Sequence, residues 1–323
     1  MKNLIEQFEK GNFIGQGKPE RVVETLISKL FFYKDTVYKV YKYQKNSFAD
    51  LTKLVDRKSF FKDDFVWNNT MDPKTYIDLL YVKFYGDTYE ICDAEDAEDM
   101  CIVMKRIDGS SSVFSMIQNN TLTSEDIEKI TQYKFSSVEK LTEIKKPAME
   151  HLFSTPYLVL ETQNLESDKL WMYEAQDFIP KERIDFIIQK LESFINSHPY
   201  FSNFDTAHYI TSLDNHTQNI LIKDGEISII DSMPPKDSWR VQSDLYVASR
   251  FATDIEVLLG SEYSDIVYEV LRDMRGIEID QKVKTYFQIV AACIRAPYFF
   301  LLNEKETAQR FLDFIYSKIG ELE

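Results

Sequence analysis

Asp214 and Asn219 stand five residues apart in the run 212–219, Ser-Leu-Asp-Asn-His-Thr-Gln-Asn, and the chain continues through Ile220-Leu221-Ile222-Lys223, Asp224-Gly225 and Glu226-Ile227-Ser228-Ile229-Ile230-Asp231. Asp-Gly between two apolar, β-branched runs is a strong hairpin signal. A two-residue loop there pairs Lys223 with Glu226 and, further back, Asn219 with Ile230. Asn219 and Asp231 then meet at the open end, about one strand spacing (roughly 5 Å) apart. An amide oxygen and a carboxylate so placed suit a hard cation such as Mg²⁺, which takes oxygen ligands and keeps water and phosphate partners. Asp214, in the loop just before, is positioned to act on a hydroxyl. His216 is expected to brace the loop by side-chain hydrogen bonding. As a base it has a carboxylate competitor two residues away.

A base, a metal-binding amide, a hairpin and a metal-binding carboxylate, in that order, form the layout of a kinase-type catalytic loop, where positioning and charge neutralisation supply most of the rate. The segment resembles the aminoglycoside phosphotransferase and choline kinase branch of the protein-kinase-like superfamily. That branch carries His-Gly-Asp-x-His-x-x-Asn followed by a strand ending in Ile-Asp or Phe-Asp. Asp214, His216 and Asn219 match; Ser212 and Leu213 stand where the family has His-Gly, which alters the backbone support of the base. The stretch 18–28, with Glu24-Thr25-x-Ile27-Ser28, and the stretch 232–256 are similar to a bacterial subfamily whose members often carry a separate P-loop ATPase domain. No Gly-x4-Gly-Lys-Ser/Thr motif occurs in this chain, so that second domain is expected to be absent.

The resemblance implies a bilobal α+β fold of the protein-kinase type. A small β-rich N-lobe over 1–108 would be the nucleotide-binding sheet with one helix, and a larger, mainly helical C-lobe over 109–323 would hold the catalytic loop and the substrate-binding region. ATP and Mg²⁺ are the implied cofactors, and transfer of the γ-phosphoryl group to a hydroxyl on a small molecule is the implied reaction. In that scheme Asp214 orients or deprotonates the acceptor and Asn219 and Asp231 hold the metal. Lys39 grips the α- and β-phosphates, with Lys42 as its rival. Asp64 or its neighbour Asp63 pairs with the strand lysine, and backbone groups around Met104 to Arg106 receive adenine. Asp244 is either the acid that anchors the catalytic loop or a simple N-terminal helix acid. Three other readings stay open: a pseudokinase scaffold, a kinase whose acceptor is a protein, and nucleotidyl transfer with ATP bound inverted.

Other elements must position these groups. Residues 30–33 and 36–42, around Lys34-Asp35, read as a hairpin in which Val37, Lys39 and Tyr41 share a face. Gly15-Gln16-Gly17 lacks a third glycine and precedes Lys39 by too much for a phosphate loop, so it reads as a turn. A helix is expected over 57–71, with Phe60, Phe61, Phe65 and Met71 on its apolar side and Asp72-Pro73 ending it. The acidic run 93–99 reads as a solvated hairpin tip, and 101–108 as a buried strand leading into the polar stretch 109–112 and a domain boundary near Asp108. Helices are expected from a cap at Thr123 or Ser124, over 184–194, from Asp244 onward with Leu245, Ala248, Phe251, Ala252 and Ile255 as its buried stripe, and over 307–319; 287–302, strongly apolar and interrupted by Arg295 and Pro297, reads as core packing in a mainly helical region. The loop 232–242 is a candidate substrate lid.

Composition sets the outer bounds. With 323 residues, 44% apolar and 14% aromatic, the chain can bury a sizeable core. Cys92, Cys101 and Cys293 have no metal-type spacing and are expected to be buried thiols. No apolar run approaches membrane-spanning length, and the N-terminal segment has no long apolar core, so a cytoplasmic protein is expected. A net charge of −15 argues against sequence-independent nucleic-acid binding. It is compatible with cationic substrates, although a solvated acidic surface is the simpler reading.

Overall fold

In the computed structural model the residues described are 4–47, 49–86, 88–107, 111–203 and 209–323. The chain divides into two compact units, Met1–Asp108 and Gly109–Glu323. The junction residues 108–110, including the expected boundary residue and the start of the polar stretch, lie outside the described residues.

The first unit holds α1 (Leu4–Lys10), β1 (Arg21–Glu24), β2 (Ser28–Phe32), β3 (Thr36–Tyr41), α2 (Leu54–Met71), β4 (Tyr76–Tyr85), β5 (Thr88–Ile91) and β6 (Asp99–Lys105). The strands form one sheet in the order β1-β2-β3-β6-β4-β5, every neighbouring pair antiparallel. In β3 all of Val37 to Tyr41 are buried, and Lys39 stands opposite Leu30 on one side and Ile102 on the other. Central placement, with both edges paired, removes this strand from water and fixes its register. The helix α1 was not anticipated; its Phe8 stacks on Phe31 with centroids 4.5 Å apart. Gly15 closes a short 3-10 helix, Phe13–Gly15, with Gln16 as its cap; Gly15 and Gly17 stand at φ 66° and 75°, and the Gln16 amide donates to the Tyr38 hydroxyl at 2.9 Å.

Three expectations for this unit are corrected. The buried face of α2 carries Arg57, Phe61, Asp64, Trp67 and Asn68, so the apolar stripe read through Phe60, Phe65 and Met71 is not the inward one. Polar groups occupy helical spacing here because the sheet offers them partners. The Arg57 guanidinium donates to Asp99 Oδ1 at 2.9 Å and to the Tyr41 carbonyl at 2.5 Å. For the same reason the acidic run is not solvated throughout: Asp99 opens β6 and is fully buried. The strand also ends earlier than expected, at Lys105.

The second unit comprises α3 (Val113–Gln118), α4 (Ser124–Lys145), α5 (Glu150–Phe153), α6 (Tyr157–Tyr173), α7 (Lys181–Ser197), α8 (Pro199–Ser202), β7 (Tyr209–Thr211), β8 (Ile220–Lys223), β9 (Glu226–Ile229), α9 (Asp237–Arg240), β10 (Val241–Ser243), α10 (Asp244–Leu258), α11 (Ser261–Arg275), α12 (Gln281–Leu301) and α13 (Lys305–Lys318). Thr123 caps α4 in a reciprocal box with Asp126. Helix α10 is buried at every position from Asp244 to Ile255, not along a single stripe, because it packs against both α11 and α12 at the centre of the unit. A helix buried nearly all round lies in the core, and its buried polar residues, Asp244, Ser249, Arg250, Thr253 and Asp254 among them, must then find partners. Cys101 and Cys293 are buried as expected, whereas Cys92 is half-exposed. No helix among the described residues is long and apolar enough to cross a membrane.

Candidate active site

The hairpin forms as its Asp-Gly centre dictates. Asp224 and Gly225 take φ of 51° and 79°, the left-handed pair of a type I′ turn, and Lys223 faces Glu226. The Ile230 amide donates to the Asn219 carbonyl at 2.9 Å, which extends the pairing to the open end. There the Asn219 amide nitrogen lies 3.3 Å from the Asp214 carbonyl and 3.5 Å from the Asp231 carbonyl, so one side chain ties the loop to the strand end. Asp231 sits at φ 50°, a left-handed conformation uncommon outside glycine, as occurs where backbone geometry is subordinated to a site. Asp214, Asn219 and Asp231 are thus brought together.

Oxygen donors at this corner fit a hard cation that takes one or two protein carboxylates and keeps water or phosphate. The Asn219 nitrogen faces the two carbonyls, which directs its Oδ1 away from them. Among the described residues there is no group of three or more His, Cys, Asp or Glu side chains that would make an all-protein metal cage.

The loop itself is clamped from several elements. The Ser212 amide donates to the Arg240 carbonyl at 2.7 Å and the Asp214 amide to the Ser232 carbonyl at 2.8 Å. Asp254 Oδ2 receives both the Thr217 amide, at 3.1 Å, and the Thr217 hydroxyl, at 2.8 Å, while its Oδ1 receives Arg295 Nε at 2.9 Å. Arg295 reaches on to Gln218 Oε1 at 3.1 Å. The acid that anchors the loop is therefore Asp254. Of the two readings open for Asp244 the second holds: it is an acid in the first turn of α10, paired with Arg275 at 3.2 Å. Both acids lie on α10, but only the later one points at the loop.

His216 is buried, and its Nδ1 has no hydrogen-bond partner among the described residues, so the bracing bond expected of it is not made by that atom. Packing holds the ring instead, 5.6 Å from the Tyr298 ring. Burial, reinforced by the positive charges of Arg295 and Arg250, lowers its pKa well below the usual histidine value and keeps it neutral. The group that does touch Asp214 was missed in the sequence: Arg250 Nη2 donates to Asp214 Oδ1 at 2.7 Å. A charged residue inside the apolar run of α10 was the available signal, but its partner lies 36 positions away.

In the first unit, Lys39 Nζ lies 3.1 Å from Asp64 Oδ2, both side chains buried, and the Asn68 amide donates to Asp64 Oδ1 at 2.7 Å. Lys42, the rival, pairs with Glu24 at the surface, and Asp63 is exposed. Met104 lies inside the sheet opposite both Val37 and Tyr76. The amides of Lys105 and Arg106 donate to the Thr75 and Asp35 carbonyls at 2.8 and 3.0 Å, so these two donors, expected to face adenine, are spent within the sheet. The Arg106 side chain turns to Glu20, at 2.5 Å, and to the Tyr33 carbonyl.

No protein-family model matches the chain. No curated protein matches it either. Among solved structures it is similar to a thermostable aminoglycoside phosphotransferase APH(4)-Ia variant in ternary complex with AMP-PNP and hygromycin B, with TM-score 0.55, 11% identity and 98% of each chain covered. It is also similar to the GDP complex of wild-type aminoglycoside 2'-phosphotransferase-IIIa, with TM-score 0.53, 10% identity and 98% of each chain covered. The likeness establishes the fold: a bilobal protein-kinase-like architecture of the aminoglycoside phosphotransferase type.

Proposed function

We propose that the protein is an ATP- and Mg²⁺-dependent phosphotransferase that moves the γ-phosphoryl group to a hydroxyl of a small molecule. The observation that carries this reading is the corner where Asn219 bridges the backbones of Asp214 and Asp231. It gathers one acceptor-facing carboxylate and two oxygen ligands at the end of a register-locked hairpin. The acceptor oxygen forms a bond to the γ-phosphorus as the bond from that phosphorus to the β,γ-bridging oxygen breaks. ADP leaves with the bridging electron pair, and the hydroxyl proton passes to Asp214 or to water. Asn219 and Asp231 would hold Mg²⁺, which when bound neutralises the phosphate oxygens. Lys39, oriented by Asp64, is assigned the α- and β-phosphates. Asp254, through Thr217, keeps the loop from relaxing.

Two observations favour a second reading, a pseudokinase: Asp214 is ion-paired to Arg250, and Ser212-Leu213 stands where aminoglycoside phosphotransferases have His-Gly. ATP labelled separately on the α- and γ-phosphates, incubated with the protein, Mg²⁺ and a cell extract split into small-molecule and protein fractions, separates the outcomes. The γ-label is expected in the small-molecule fraction. Label in protein would make the acceptor a protein, transfer of the α-label would mean nucleotidyl transfer, and no transfer with retained nucleotide binding would mean a scaffold.

A further inference from the structure

Arg250 does two things with one guanidinium. Its Nη2 holds Asp214, while its Nη1 is buried and has no hydrogen-bond partner among the described residues. The side chain is only 5% exposed. A guanidinium nitrogen in that state lacks the acceptor that buried donors ordinarily find. Arg250 also lines a cleft, together with Asp214, Tyr246, Ser212, Pro234 and Trp239. Pro234 and Trp239 belong to the stretch 232–242, so the segment read as a substrate lid forms one wall.

We propose that Arg250 is the anion-binding group of the acceptor subsite, and that the acceptor is a small alcohol carrying its own carboxylate or phosphate. The anion takes Nη1 of Arg250 while the hydroxyl faces Asp214. This rests on the reading of Asp214 as the group that orients the acceptor. The guanidinium is planar and its two terminal nitrogens are adjacent, so with hydrogen bonds of about 2.8 Å on each side the hydroxyl and the anionic oxygen stand roughly 5–7 Å apart. That is the span of a compact hydroxy acid or phosphomonoester. An anion beside Asp214 would otherwise be repelled, and the guanidinium between the two carboxylates compensates both.

The neighbouring charges leave this position to the ligand. Asp254 is already taken by Thr217 and Arg295. Asp168, buried on α6, is pushed by burial well above the ordinary carboxylate range, although Arg250 and Lys236 pull it back down. Lys236, in the same 232–242 stretch as Pro234 and Trp239, donates to Ser167 at 2.9 Å. Among the described residues lining the cleft Asp214 is the one acid, and Arg250 already pairs with it. A cationic acceptor meets no such complement, despite the −15 charge of the whole chain.

The test is calorimetric titration of the full chain, with Mg²⁺ and AMP-PNP present, using glycerate, glycerol phosphate, glycerol and ethanolamine, followed by γ-labelled ATP assays with the same compounds. The two anions are expected to bind at least about tenfold more tightly than glycerol or ethanolamine, and Arg250→Gln to lose that advantage. Should Arg250→Gln fail to fold, Arg250→Lys decides, since a point charge without the fork is expected to give intermediate affinity at an unchanged melting temperature. Equal binding of the neutral or cationic compounds, no binding of either anion, or unchanged anion affinity in the Arg250 variants would overturn the proposal. Anion binding through Arg250 without any label transfer would sink the phosphotransfer reading and leave the anion subsite standing.

Discussion

Asp214 and Asp231, the two carboxylates to which the proposed reaction gives different duties, already differ in environment. Asp214 is one-third exposed and paired to Arg250, whereas Asp231 is exposed at the strand end in a left-handed conformation. Asp231→Asn keeps the size and removes one negative oxygen ligand, so the affinity for nucleotide in Mg²⁺ is expected to fall while affinity in chelator changes little. Asp214→Asn should bind Mg²⁺-nucleotide like the parent yet lose on the order of 10²–10⁴ in rate, the usual worth of a positioned base. Titrations with and without Mg²⁺, set beside the labelled-ATP assay, distinguish them. Identical behaviour of both variants and the parent would remove the hairpin-end metal site.

At the scale of elements, α2 is held to its sheet by ion pairs where most helices use an apolar face. Arg57 bonds Asp99 and two carbonyls, of Tyr41 and Lys42, and its guanidinium lies 4.0 Å from the Tyr43 ring centroid. Removing one member leaves an uncompensated buried charge, for which about 3–5 kcal/mol is typical. Arg57→Met is therefore expected to destabilise by that order. Adding Asp99→Asn to it should recover part of the loss, because the stranded charge is gone. Urea unfolding of the two single variants and the double variant measures the coupling, and strict additivity would mean that the pair does not hold the helix. This arrangement also explains why apolar periodicity misplaces the face of α2: three of its five buried positions, Arg57, Asp64 and Asn68, are polar.

At the scale of the molecule, burial of acids makes stability depend on pH. Glu161 on α6 has no exposed surface, and burial pushes its carboxyl up to about 7, although the Tyr286 hydroxyl, at 2.8 Å, and Asn164 favour its ionised form. Asp168, one helical stretch further on, is shifted in the same direction by burial. Between the unfolded value near 4.5 and the folded value the native state binds more protons than the unfolded chain, so stability falls as pH rises through this window. Glu161→Gln should flatten that fall. Unfolding midpoints of parent and variant at about pH 5 and pH 8 compare the slopes, and parallel slopes would show that Glu161 ionises freely in the folded state.

The sequence determined what local chemistry can determine. Asp224-Gly225 demands a left-handed turn, the turn sets the register, and the register delivers Asn219 to Asp231 without help from the rest of the chain. Lys39 in a branched, aromatic strand, a helix cap at Thr123 or Ser124 and the apolar content of the segment that forms α10 were legible for the same reason: their signals span a few residues. Only the tertiary structure decided which charges meet. Asp64 rather than Asp63 faces Lys39, Asp254 rather than Asp244 anchors the loop, and Arg250 reaches Asp214 across 36 positions. Each of these choices depends on the rotation of a helix about its axis and on what it packs against. One residue of helix turns a side chain by about 100°, which no local pattern fixes when the inward face is itself polar.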